Sequence, residues 1–144
     1  FSRGKHPNFW AIRNEEPYGV SIHKVAEGID TGEIIAQKII PYDWEDNGGT
    51  LYKKSEKEYI NLFKKTFPKI LVNKITKTIK NSGGSFHLGK EMFLESEIDL
   101  EKSYKAKDLF NLLRARTFTG KPSCWFSFKK SKYEVRIKIN KVKN

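Results

Sequence analysis

Asp30 is the residue whose surroundings most favour chemistry. It stands in Glu27-Gly28-Ile29-Asp30-Thr31-Gly32, a loop punctuated by two glycines between two stretches of strand-like pattern. Glycines let a backbone come close to a ligand, and a carboxylate carried on such a loop can be aimed at it. Aspartate in a loop also serves to close an Asx-turn, so residue type and place leave both roles open. His23, on the preceding strand-like stretch beside Val20 and Ile22, is likewise either an interior hydrogen-bonded ring or part of a site. Arg3 can meet a substrate phosphate or a surface carboxylate. Other chemistries find no support. No Cys/His cluster has metal-ligand spacing, and Cys124 has no neighbour that would make it a nucleophile. Neither a dinucleotide-binding nor a P-loop glycine fingerprint is present, and Gly83-Gly84 reads as a linker.

The elements that would position these residues can be read from periodicity. Residues 6–14 open with Pro7 at a first helical position and carry Phe9, Trp10 and Ile12 on nearly one side, which predicts a short helix. Glu15-Glu16-Pro17 ends it, because the residue before a proline is biased away from helix. Residues 19–26 and 33–40 are predicted strands, with the Asp30 loop between them. Asp46-Asn47-Gly48-Gly49 is a turn, with Thr50 as the expected cap of a long amphipathic helix. That helix carries Leu51, Tyr59, Phe63, Phe67, Ile70, Leu71 and Ile75, and Pro68 should kink or split it. Asn81-Ser82-Gly83-Gly84 reads as a boundary. Beyond it the pattern predicts a helix over 105–115 and strands over 123–128 and 132–139, turning at Lys129-Lys130-Ser131. No internal repeat is visible.

Length and composition bound the answer. The 144 residues suit one domain, or part of a domain with a small appendage, and 38% apolar content is enough for a packed core. No apolar run approaches the ~20 residues of a membrane span, and no signal-peptide pattern opens the chain. The start at Phe1-Ser2-Arg3-Gly4, without methionine, leads us to expect further sequence upstream. A single cysteine fits a reducing cytoplasm. The net charge of +11 raises nucleic acid as a partner, but only five of 28 basic residues are arginine. The lysines are dispersed from Lys53 onward, which argues for a solvated surface rather than a binding footprint. Attraction to a nucleotide-sugar diphosphate is a further reading of the same charge.

Read together, Arg3-Gly4, Pro7, Trp10-Ala11-Ile12, Gly19-Val20, His23 and the run Ile29 to Gln37 resemble the second half of the folate-dependent formyltransferase catalytic domain. That superfamily includes glycinamide ribonucleotide, methionyl-tRNA and sugar formyltransferases. Thr50-Leu51-Tyr52, the long helix and Gly84-Ser85-Phe86-His87 resemble the linker region of the sugar N-formyltransferases. Ile98-Asp99-Leu100, Tyr104 and Leu113-Arg114-Ala115-Arg116-Thr117-Phe118 resemble their C-terminal appendage. The chain departs from the family after Phe118, where Thr119 to Trp125 replaces a proline-rich turn.

The resemblance implies an α/β fold. Residues 1–80 would be the C-terminal part of a Rossmann-like catalytic domain, and 85–144 a small α+β domain. It implies formyl transfer from 10-formyltetrahydrofolate to the amine of a nucleotide-linked, dTDP-type amino-dideoxy sugar for surface polysaccharide. It further implies an Asn, His and Asp triad in which Asp30 is the catalytic aspartate, tuning the histidine and helping to move the amine proton. The Asn and the protonated His would stabilise the oxyanion. Both belong to an Asn-x-His motif upstream of the Arg-Gly segment, and His6 is no substitute. The 144 residues alone are therefore expected to be inactive. By the same analogy Ala26, Glu27, Gly28, Ile29 and Asp30 wall the folate pocket. Arg3, Gly4 and His23 are expected at the acceptor, and a homodimer is expected through the C-terminal region. Trp10, Tyr104, Phe118 and Trp125 are read as packing residues. The rival readings are a methionyl-tRNA formyltransferase, a non-catalytic nucleic-acid-binding module, and a folate- or nucleotide-binding remnant. About 60 residues after Gly84 are few for the RNA-facing barrel that the first of these would need.

Overall fold

The computed structural model describes residues 1–28, 30–81 and 83–142. Ile29, expected at the folate wall, and Ser82, in the expected linker, lie outside the described residues. In chain order the elements are β1 (Arg3–Gly4), α1 (Pro7–Asn14), β2 (Gly19–His23), β3 (Ile34–Ile39) and α2 (Gly48–Leu71). They are followed by β4 (Phe86–His87), α3 (Gly89–Leu94), α4 (Ala106–Arg116), β5 (Cys124–Phe128) and β6 (Ser131–Val135). The strands pair two by two: β1 with β4 in parallel, β2 with β3 and β5 with β6 antiparallel.

Helix α1 begins where Pro7 fixes φ, and ends at Glu15 in the left-handed region, φ 56°. Phe9, Trp10, Ala11 and Ile12 are all buried, so the helix is enclosed all round rather than on one side. The reason is tertiary: α4 packs on it from one direction and α2 from another. The Tyr42 hydroxyl lies 2.7 Å from the Ala11 carbonyl and 2.8 Å from that of Glu16, tying the segment after β3 to the end of this helix.

Helix α2 departs from expectation at both ends. Its cap is Asn47, not Thr50. The Asn47 side chain accepts from the Gly49 and Thr50 N–H groups at 2.9 and 3.0 Å, while Thr50 Oγ1 accepts from the Asn47 N–H at 2.9 Å. That is a reciprocal capping box, with the threonine supplying its other half. Pro68 does not split the helix. It sits in the last turn, where its carbonyl accepts from the Val72 N–H, and the helix closes at Leu71 and leaves Ile75 outside. Leu51, Ser55 and Thr66 are buried, whereas Tyr59, Ile60, Phe63, Phe67 and Leu71 are exposed.

The predicted strands shorten as well. Strand β2 stops at His23 with a register irregularity between Ile22 and His23, and β6 stops at Val135, short of residue 139. The two-residue turn Lys129-Lys130 places Lys129 at φ 55°. The short elements β1, β4 and α3 carry too little periodicity to be foreseen.

One hydrophobic cluster runs through the structure, joining Phe9, Trp10, Ile12, Leu51, Met92, Leu112, Leu113 and Cys124. The packing thus crosses the sequence boundary at 81–84: α1 and α4 share this core, and β1 pairs with β4. Among the described residues no helix is long and apolar enough to cross a membrane.

Candidate active site

Residues 24–33 form the connection of the β2–β3 hairpin. Its neck is closed by the Lys24 N–H donating to the Glu33 carbonyl at 2.9 Å. The Lys24 ammonium, 2.7 Å from Glu33, holds that carboxyl below its ordinary range, but both groups are exposed and water screens the pair. Gly32 is required by close approach, since a Cβ there would stand 1.7 Å from the Lys24 carbonyl oxygen. Gly28 adopts φ +92°, a conformation L-residues disfavour. The Thr31 hydroxyl lies within hydrogen-bonding distance of the Glu27 and Gly28 carbonyls and braces the turn from inside.

Asp30 takes φ 54°, the left-handed region that aspartate tolerates better than most residues. The Asn81 side chain donates to its carbonyl oxygen, and just before it the backbones of Ile34 and Ile79 exchange hydrogen bonds of 2.8 and 2.9 Å. The 79–81 segment therefore straps the loop to β3. The sequence pattern marks Asn81 only as the first residue of a boundary segment. An amide side chain beside a glycine pair was its one sequence signal.

The hairpin brings His23 and Asp30 together, with His23 Nε2 3.7 Å from Asp30 Oδ1. His23 Nδ1 lies 2.9 Å from the Lys24 carbonyl. A carbonyl can only accept, so Nδ1 carries the proton and Nε2 is the nitrogen turned toward the carboxylate. Both side chains remain partly open, at 33% and 42% exposure. Ala26, Glu27 and Gly28 lie on the same loop and are exposed, next to Val25, whose apolar side chain is 98% exposed.

Arg3 and Gly4 belong to a different strand pair. The Arg3 N–H donates to the Ser85 carbonyl at 2.8 Å, and Lys5 N–H to that of His87 at 3.0 Å. Gly4, at φ +86°, has no room for a side chain: a Cβ would lie 2.3 Å from the His87 carbonyl oxygen. Behind this pair the Trp10 and His87 rings stack with centroids 3.8 Å apart, and Trp10 is a core residue as expected. Arg3 Nε, Trp10 Nε1 and His87 Nε2 are buried without a hydrogen-bond partner among the described residues. Asn81 is the nearest link in sequence between the Asp30 loop and this pair. Among the described residues, no group of three or more His, Cys, Asp or Glu side chains could hold a metal ion.

A family model described as "Formyl transferase" matches residues 2–67, and one described as "N-formyltransferase dimerization C-terminal domain" matches 91–141. The chain is 34% identical over 116 residues to the bifunctional polymyxin resistance protein ArnA of Wigglesworthia glossinidia brevipalpis, covering 80% of this chain and 17% of that protein. It superposes on a 4-N formyltransferase from Francisella tularensis with a TM-score of 0.92 and 31% identity, over 99% of this chain and 59% of that one. An N-formyltransferase from Helicobacter canadensis, in complex with folinic acid and dTDP-3-aminofucose, matches with a TM-score of 0.76 and 28% identity. That match covers 91% of this chain and 48% of the other. The chain spans about three fifths or less of the length of these relatives. The mixed α/β architecture is that of the formyltransferase fold, and the two family models match in the order and at the places where the elements above fall. The chain belongs to the formyltransferase family.

Proposed function

We propose that this chain is part of an enzyme that transfers a formyl group from 10-formyltetrahydrofolate to the amine of a nucleotide-linked amino-dideoxy sugar, with dTDP as the nucleotide. The observation that carries the reading is the setting of Asp30. Asp30 stands on a turn held left-handed between two glycines, its backbone carbonyl gripped by Asn81 and its carboxylate 3.7 Å from an imidazole nitrogen. Supporting it is the overlay with a sugar N-formyltransferase that binds folinic acid and a dTDP-amino sugar.

The residues present fit a folate. Ala26, Glu27 and Gly28 are exposed, and among the described residues their backbone N–H groups make no backbone hydrogen bonds. A pterin edge needs such free donors, and Val25 offers it an apolar flank. The donor supplies an activated one-carbon unit. In the transfer the amine would gain the formyl carbon, and the proton its nitrogen loses would pass to Asp30, directly or through water, and on to the folate nitrogen that leaves as tetrahydrofolate. His23, beside that carboxylate, faces the acceptor. Arg3 answers the acceptor's phosphate, and Gly4 keeps the strand close enough to β4 for this. In this reading an Asn-x-His pair upstream of Arg3 completes the triad. The protein acts in the cytoplasm, as a homodimer joined through 91–141, where Leu94, Leu100 and Phe128 are exposed.

The test uses the full-length protein that carries this chain, following tetrahydrofolate release against dTDP- and UDP-amino sugars and methionyl-tRNA. Turnover on one amino sugar, reduced about 10²–10⁴-fold by Asp30→Asn, is the expected result. Turnover on charged tRNA alone would move the acceptor to RNA. Silence on every acceptor, or an unimpaired Asp30→Asn, would remove the reading.

A further inference from the structure

The carboxylate of Asp30 is not fixed by the ring beside it. Its Oδ1 stands 3.7 Å from His23 Nε2, too far for a hydrogen bond, and the side chain is partly open to water. The loop is braced elsewhere. Lys24 and Glu33 close its neck, and the Thr31 hydroxyl turns back onto the Glu27 and Gly28 carbonyls. None of these bonds reaches Asp30. Its backbone nevertheless stands at φ 54°, a conformation that L-residues keep only where the surroundings hold them in it. Among the described residues a single hydrogen bond reaches that backbone, from the Asn81 side-chain amide to the Asp30 carbonyl. With the peptide after Asp30 pinned in this way, the direction of its Cβ, and so of its carboxylate, follows.

A hydrogen bond places its acceptor only as well as its donor is held, and Asn81 is held from both sides. Before it, the backbones of Ile79 and Ile34 exchange hydrogen bonds of 2.8 and 2.9 Å. Glu33 is held below its ordinary range by Lys24 first and then by a hydrogen bond from the Thr78 side chain. After it, the Ser85 carbonyl accepts from the Arg3 N–H at 2.8 Å, and Ser85 Oγ donates to Glu16 Oε2 at 3.1 Å. Gly84 lets this stretch run against the start of the chain, since a Cβ there would stand 2.3 Å from the Phe1 carbonyl oxygen. The chain on either side of Asn81 is thus stitched to the Asp30 loop at one end and to the Arg3–Gly4 strand at the other. Asn81 itself is half-buried and lies outside the hydrophobic core, so replacing it opens no cavity there.

We propose that Asn81 is a positioning residue for the transfer, holding Asp30 in the left-handed conformation that presents its carboxylate beside His23. The inference rests on the function proposed above, in which Asp30 takes up the amine's proton. Asn81 touches neither substrate. It acts through the backbone of the residue that does, and without it Asp30 relaxes toward the ordinary regions of φ and ψ and swings the carboxylate away.

The test uses the full-length protein, with Asn81→Leu to remove the donor at similar volume and Asn81→Gln to keep an amide on a longer arm. On the amino sugar that the parent formylates, Asn81→Leu should lower kcat about 10–100-fold and leave KM for donor and acceptor within about twofold. Asn81→Gln should regain most of that rate. In an Asp30→Asn background Asn81→Leu should add nothing, because a residue that acts through the carboxylate has no effect once it is gone. Hydrogen exchange in Asn81→Leu should rise over residues 24–33 and stay as in the parent over α1 and α4. Full kcat in Asn81→Leu, or Asn81→Gln no faster than Asn81→Leu, would overturn the role. So would an undiminished effect in the Asp30→Asn background, or exchange that rises throughout the chain. The two readings fail separately. Formylation that depends on Asp30 but not on Asn81 sinks only the positioning role. A rise in exchange confined to 24–33, with no amino sugar formylated by the parent, sinks only the activity.

Discussion

A Cβ on Gly32 would press on the Lys24 carbonyl from 1.7 Å, and backbone rather than a flexible side chain stands in the way. Gly32→Ala must therefore open the neck of the Asp30 loop. We expect a loss of about 2–4 kcal/mol, read as a fall of roughly 5–15 °C in Tm. Asn81 is a contrasting case, because its side chain grips the Asp30 carbonyl without belonging to the core. Asn81→Ala should cost only about 1 kcal/mol of stability while lowering kcat clearly more than KM in the full-length enzyme. Equal kinetics would show that the strap has no part in placing the carboxylate. Cys124 is inert for a physical reason. It is fully buried, and burial pushes its thiol up to about 12, so no thiolate forms near neutrality. Native protein should resist thiol reagents at pH 8 and react only at the rate at which it unfolds.

At the scale of elements, α2 shows how a helix start is built from several weak terms. The Asn47–Thr50 box satisfies orphan N–H groups, and Asp46 accepts from Thr50 Oγ1 at 3.0 Å and from Lys54 Nζ at 2.6 Å. Burial by itself would raise the Asp46 pKa, but Lys54, the Asp43 backbone and Thr50 outweigh it and hold the group below its ordinary value. A depressed folded-state pKa stabilises above the unfolded value and is lost as pH falls through the folded one. Acid unfolding should therefore include a step below the ordinary carboxylate range, and Asp46→Asn should flatten it while lowering stability at pH 7. Asn47→Ala should remove about 1 kcal/mol, measured by urea titration. Periodicity alone could announce this helix but not its first residue, because Thr50 and Asn47 are both good caps. Only the position of the Ala115 and Thr117 carbonyls against Gly48 and Gly49 decides between them.

For the whole molecule, the chain is basic and yet carries an uncovered apolar stripe along α2, where the Phe63 and Phe67 rings stack 4.9 Å apart at its surface. Charge repulsion and apolar attraction then oppose each other. The 144-residue chain by itself should bind a hydrophobic dye and self-associate more as salt screens its charge of +11. Phe63→Glu with Phe67→Glu should abolish both effects, as sedimentation and dye fluorescence would report. Association that weakens with salt would instead point to ion pairing between copies.

Much of the architecture was legible because it follows local rules. Pro7 opened α1, alternation marked β2 and β3, and the glycines flanking Asp30 marked a loop able to hold an aimed carboxylate. The meeting of His23 with Asp30 was not legible there, since strand pairing returns Ile34 to His23 and leaves Asp30 within the connecting loop. What no local pattern carried was any pairing between distant segments. The strap from Asn81, the parallel seam of β1 with β4 and the core shared by α1 and α4 each join residues dozens of positions apart. Chain order does not encode such pairings in any periodic signal. The contrast between Arg114 and Arg116 belongs to the same class. As side chains in a sequence they are the same cation on one helix, and only the tertiary structure separates them, giving Arg114 the Asn111 side chain and the Asp43 and Asp46 carbonyls and Arg116 the Ser96 hydroxyl.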